Sequence, residues 1–148
     1  MKTYALFDDS FFKIKPRWIP EKLYRVVCQR SNPRSKEYMI NLLHENFPEA
    51  ELIELEQLHF PAKIILLYPD ATGLGWSKIE TRLKTQTQDI TVLNGRKRVF
   101  ELTPSTRKTL LFRRFLEMTF LPEILLTPLI LFYGISIAIK DKFRGCKS

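Results

Sequence analysis

Residues 64–80 read IILLYPDATGLGWSKIE, and the fold turns on this stretch. It begins inside the aliphatic run Lys63–Tyr68, which is what a strand covered on both faces looks like. It then passes Tyr68-Pro69-Asp70 and two glycines one residue apart, and takes on helical character over Ser77–Lys84. Strand, glycine turn and helix in that order start an α/β unit. The turn itself has two readings. In open α/β sheets ligands gather beyond the carboxyl ends of strands, where loop N–H groups and a helix N-terminus favour an anion. Asp70, Thr72, Gly73, Gly75 and Ser77 occupy that place: the glycines would let backbone approach a phosphate, and the two hydroxyls would donate to it. The other reading is a tight corner in which Ser77 only caps the helix. The stretch lacks the third glycine of a dinucleotide fingerprint and the Lys-Ser/Thr of a Walker loop, which weighs toward the corner.

Working outward, Leu23–Gln29 (LYRVVCQ) reads as the first strand, after an irregular lead-in over residues 1–21 where Pro16 and Pro20 bracket Trp18. The next stretch, residues 31–48, reads as a helix. Ser31 or Asn32 caps it, Pro33 suits its first turn, Tyr38, Met39, Leu42, Leu43 and Phe47 form one stripe, and Pro48 stops it. Glu51–Glu56 reads as a short second strand near an edge. Downstream, Asn94-Gly95 between two β-rich runs signals a hairpin, both residues tolerating positive φ. The expected fold class is therefore α/β: a small, open Rossmann-like layer with an antiparallel hairpin edge. A link of about five residues between the second and third strands is too short for a usual parallel crossover, which leaves the strand order open.

The charge is uneven. Residues 1–96 carry 14 Lys and Arg against 12 Asp and Glu, residues 97–148 carry 10 against 4, and together they make the net +8. The basic excess sits beside strongly apolar sequence, which points to anionic membrane lipids as partner and away from nucleic acid, where basics interleave with exposed aromatics along one face. Thr103-Pro104 opens a helix in which Arg107, Lys108, Arg113 and Arg114 alternate with Leu110, Leu111, Phe115 and Leu116, an amphipathic segment suited to a membrane surface. Met118–Ile139 follows, with Glu123 its only charge, and a second basic group, Lys140, Lys142, Arg144 and Lys147, lies beyond. Basic flanks on both sides conflict with a simple crossing from a cytoplasmic domain. A helix broken by Pro122 and Pro128 that returns to the same face, or one lying in the membrane plane, resolves the conflict, the alternatives being a simple membrane-anchoring span and a helix buried in a soluble oligomer. The expected division is a soluble domain over residues 1–103 and a basic amphipathic plus membrane-inserted part over residues 104–148.

Arg113-Arg114-Phe115-Leu116-Glu117, an apolar run with Pro128 near its middle, and Ile139-Lys140 together resemble the re-entrant membrane helix of the monotopic phosphoglycosyl transferases. Those bacterial enzymes move a sugar phosphate from a nucleotide sugar to a polyprenyl phosphate. Their helix typically starts with a basic-aromatic-acidic cluster, breaks at Ser-Pro and ends in Lys. Here the acid is Glu117 rather than Asp, and the kink is Thr127-Pro128. In that family the catalytic domain follows the helix, whereas eight residues follow Lys140 here, so no catalytic residue carries over. The resemblance covers Arg113–Lys140 and implies membrane geometry in a glycan-assembly setting.

The remaining candidates weigh toward structure. His44 and His59 have no metal-ligand spacing, Asp8 and Asp9 read as solvated acids, and nothing suggests a nucleophile with its base. Cys28 and Cys146 suggest neither a disulfide framework nor a metal site and fit a reducing compartment, and acids in MKTYALFDDSFF argue against a signal peptide. The loop Gly95-Arg96-Lys97-Arg98 reads either as a solvated turn or as a contact for phosphate or headgroups. The expectation is an accessory subunit without cofactor or catalytic residues. It would sit at the cytoplasmic face of the inner membrane, support polyprenyl-linked sugar assembly and work beside a glycosyltransferase or other membrane protein. The alternatives are a small protein or enzyme binding a nucleotide or nucleotide sugar, and a docking module for a larger membrane protein.

Overall fold

The computed structural model describes residues 2–14, 17, 20–58, 61–87 and 89–145; Pro16, Trp18, His59, Cys146 and Lys147 lie outside these, as do the side chains of Cys28, Pro122, Glu123 and Arg144. Five strands form one sheet: β1 (Lys2–Phe7), β2 (Glu51–Leu52), β3 (Ala62–Tyr68), β4 (Ile90–Asn94) and β5 (Val99–Glu101), in the order β2-β1-β3-β4-β5. β1 runs parallel to β3 over its whole length, from Lys2 opposite Ala62 to Phe7 opposite Leu67. β2 joins β1 in parallel, β4 joins β3 in parallel, and β5 closes the far edge antiparallel to β4. This is the mixed α/β layer with a hairpin edge that the sequence suggests.

Two elements differ from that reading. The first strand lies at Lys2–Phe7, inside the expected lead-in, and it is central rather than peripheral. The segment LYRVVCQ belongs to helix α2 (Glu21–Ser31), which follows the one-turn α1 (Ser10–Lys13). Its β-branched pair Val26-Val27 misleads: Tyr24 and Val27, one turn apart, are half-buried, while Leu23 and Val26 remain exposed. The Pro20 carbonyl accepts the Tyr24 N–H at 3.0 Å, starting the helix, and Asn32 (φ 41°) ends it in the left-handed conformation. Helix α3 (Lys36–Asn46) is accordingly capped by Ser35, whose hydroxyl accepts the Tyr38 N–H at 3.2 Å, rather than by Ser31 or Asn32. Of the expected strand Glu51–Glu56 only Glu51–Leu52 pairs; a reciprocally capped 3₁₀ turn, Leu55–Gln57, follows. The short link that obscured the strand order is explained by β1 lying between β2 and β3.

β3 alternates its side chains between two cores. Ile65 and Leu67 meet Met39, Leu42 and Leu43 of α3, together with Ala5 and Leu93. Ile64, Leu66 and Tyr68 meet Trp76, Leu83 of α4 (Ser77–Lys84) and Leu110 of α5 (Pro104–Thr119) on the other face. Because α5 begins on that face, the chain divides into compact units at Met1–Arg114 and Phe115–Ser148, past the boundary expected at Thr103. The second unit is dominated by α6 (Leu121–Gly145). α6 runs through Pro128 without ending, since one missing N–H leaves the other bonds of a 25-residue helix in place. Pro122 falls in its first turn, where no helical N–H partner is lost. The interruption between α5 and α6 sits instead at Phe120, whose φ is 56°.

Candidate functional site

The strand order reverses between β1, which leads to β2 on one side, and β3, which leads to β4 on the other. Their carboxyl ends mark the position where such sheets bind ligands. Here the glycine turn fills it with its own side chains. Gly73 (φ 72°) and Gly75 (φ 87°) both need the left-handed region, and a Cβ on either would collide with the Tyr68 ring or with Phe11. The N–H groups that an anion would use are taken by Asp70: its buried carboxylate accepts from Gly73 N–H at 2.6 Å, from Leu74 N–H at 3.1 Å and from the Thr72 hydroxyl at 3.3 Å. Burial pushes the Asp70 carboxyl above its ordinary range, while the bonds from Leu74, Gly73 and Thr72 pull it back in part. Nor does Ser77 cap α4; its hydroxyl accepts from Arg114 Nη1 at 2.9 Å. Of the five residues, Thr72 and Gly73 thus bond the Asp70 carboxylate, while Gly75 packs against Phe11 and Ser77 meets Arg114.

Arg114 holds this corner. Its Nε donates to the Thr72 carbonyl at 2.9 Å, Nη1 to Ser77, and Nη2 to Glu80 Oε1. Glu80, 0% exposed, also accepts the Tyr68 hydroxyl at 2.6 Å. Burial first, and then the charge of Glu80 and its hydrogen bond, push the Tyr68 phenol far up, so it stays a donor. Burial lowers the Arg114 guanidinium, but bonding to Glu80 more than offsets this. Arg114 is only 4% exposed and Arg107 is half-buried against Glu80 and Thr81, so neither serves as the membrane-surface cation expected of it. The reason is register: residues 107, 110 and 114 share one face of α5, and that face lies on the sheet. Lys108 and Arg113 stay exposed, and so do Leu111, Phe112, Phe115 and Met118. The sequence carried a signal for the missed Glu80, since it shares a helical face with Trp76 and Leu83 yet is charged.

The hairpin closes the same end. Asn94 Oδ1 accepts the N–H groups of Arg96 and Arg98 at 3.1 and 3.0 Å, and its Nδ2 donates to the Ala71 carbonyl at 3.1 Å. The positive φ falls on Lys97 (60°) rather than on Asn94 or Gly95, so the turn is a longer loop than the Asn-Gly pair suggests. At the opposite end of the sheet, a cavity of about 570 Å³ opens between α4, β5 and the start of α5, with Glu80 and Arg107 on its wall. Among the described residues no three His, Cys, Asp or Glu side chains gather as metal ligands would.

In the second unit α6 presents apolar side chains all round, among them Ile124, Leu129, Ile130, Phe132 (70% exposed) and Tyr133. Among the described residues no single helix is long and apolar enough to cross a membrane; α5 and Ile124–Lys140 reach that length and composition only as an interrupted pair. The fold and these sites define an α/β protein carrying an exposed apolar helix. Compared with protein-family models, curated proteins and solved structures, the chain matches none.

Proposed function

We propose that this chain is a monotopic, membrane-associated accessory protein, its α/β unit on the cytoplasmic face of the inner membrane and α6 buried in the bilayer without crossing it. The observation that carries this is the exposure of α6: eleven described large apolar side chains between Ile124 and Ile139 stand more than two-fifths exposed. Full burial of each such side chain is worth about 1.5–3 kcal/mol, so lipid would stabilise the helix greatly. Lys140 and Lys142 after it, and the exposed Lys108 and Arg113 before it, are cations suited to anionic headgroups. The resemblance of Arg113–Lys140 supports a setting in polyprenyl-linked sugar assembly, beside a glycosyltransferase or other membrane protein. Arg114 contributes less to that resemblance than its place in the cluster suggests, because it is committed to Glu80.

Flotation of the full chain on vesicles of phosphatidylethanolamine and phosphatidylglycerol tests the membrane reading. The protein should rise with the vesicles, and the pair Leu129→Asp and Phe132→Asp should leave it behind. Wild-type protein that stays at the bottom of the gradient ends the proposal. In cells, Cys146 of a Cys28→Ser variant should resist an impermeant thiol reagent from outside; labelling there would mean α6 crosses. Recovery of a glycosyltransferase after gentle detergent extraction supports the sugar-assembly setting, and its absence removes that setting while leaving the membrane reading intact.

A further inference from the structure

We infer that the cavity between α4, β5 and the start of α5 binds a polyhydroxylated ligand of monosaccharide size, anchored by Glu80 and Arg107. Its volume of about 570 Å³ falls within the range of small-molecule sites, about 300–1,000 Å³. Glu80 Oε1 is spent on Tyr68 and Arg114. Its other oxygen, Oε2, is buried and has no hydrogen-bond partner among the described residues, and the same is true of Arg107 Nε. The two atoms face each other at 3.6 Å, beyond hydrogen-bond length. Buried polar atoms are as a rule satisfied. As they stand both atoms are closed to a water-sized group; as the Arg107 side chain, 19% exposed, gives way toward the cavity, one hydroxyl satisfies both, donating to Oε2 and accepting from Nε–H.

The rest of the wall fits the same chemistry. Lys63 and Lys84 add donors and Asp89 and Glu101 add acceptors, so neighbouring hydroxyls find partners of both kinds. The three cations and three anions of the wall balance, and Glu80 Oε2 would repel a phosphate placed against it. That composition selects a neutral polyol over an inorganic anion. Ile90 and Leu102 supply apolar surface for the C–H face of a ring. The inference stands on the cavity alone and adds a ligand class to the accessory role, so ligand binding and vesicle flotation test separate claims.

The test titrates full-length protein in detergent micelles with glucose, galactose and N-acetylglucosamine, followed by calorimetry, with inorganic phosphate as the anion control. At least one sugar should bind saturably, with a dissociation constant of about 10 mM or tighter. Binding should weaken about tenfold or more in Arg107→Lys, which keeps the charge but removes the Nε–H. It should weaken similarly in Lys84→Met, an exposed wall position that leaves the contacts of Glu80 alone. If Arg107→Lys does not fold, Lys84→Met decides. The inference is overturned by no saturable binding of any of these sugars, by phosphate binding more tightly than all of them, or by binding that Lys84→Met leaves unchanged.

Discussion

Arg114 is the residue through which a helix classed by its sequence as a membrane-surface element becomes part of the α/β core. It meets the Thr72 carbonyl, the Ser77 hydroxyl and the Glu80 carboxylate, three groups that lie apart from it in sequence. Removing one partner of a buried ion pair leaves the other uncompensated, at a cost of about 3–5 kcal/mol. Arg114→Leu should lose about that much in urea unfolding of the full chain in detergent, and Glu80→Leu a similar amount. The double variant should lose clearly less than the sum, because no charge is then stranded; strict additivity would show the pair to be uncoupled. Tyr68 adds a pH dependence. Its folded pKa lies far above the ordinary 10.0, so above that value the unfolded chain binds fewer protons than the folded one and stability falls as pH rises. The contribution is fully present below the unfolded pKa. Between pH of about 9 and 11, wild type should therefore lose stability more steeply than Tyr68→Phe, and equal slopes would contradict this assignment.

At the scale of elements, how much the sequence disclosed depended on how local each signal was. β3, α4, the hairpin and the start of α5 were legible because their periodicity, turn residues and caps act over a few neighbours. β1 was hidden: an apolar run of only Tyr4–Phe7 ends in Asp8-Asp9 and becomes a strand by pairing on both sides. α2 resembles a strand in its sequence, and β-branched residues favour strands only where a sheet receives them. The site was partly legible in the same way. The positions of Asp70 to Ser77 follow from the strand–turn–helix order, but which group fills the turn depends on Arg114, remote in sequence. The turn carries a prediction of its own. Gly73→Ala combines a left-handed residue, costing about 1–2 kcal/mol, with a Cβ 2.5 Å from the Tyr68 ring. It should lower the melting temperature by several degrees while vesicle flotation persists; an unchanged melting temperature would mean the turn relaxes freely.

At the scale of the whole molecule, an ordinary apolar core of the α/β unit is accompanied by two departures from the usual order. Charged groups, Glu80 and Arg114, lie inside the α/β unit, while α5 and α6 carry large apolar side chains outward. Composition alone anticipated a basic, apolar C-terminal region, because that signal is a sum over many residues. It did not say which cations would stay outside. That depends on helix phase relative to the sheet: Lys108 and Arg113 face solvent, whereas residues 107 and 114 turn inward.

The sheet's two edges have a further consequence. β2 offers two residues and β5 three, so a strand arriving from another molecule finds almost nothing to pair with. In buffer without detergent, self-association should therefore proceed through the exposed apolar side chains of α6 rather than through the sheet. The precipitate should be amorphous, fail to enhance thioflavin fluorescence and redissolve in mild detergent. Fibrils with a cross-β repeat of about 4.7 Å would show that the short edges give no such protection.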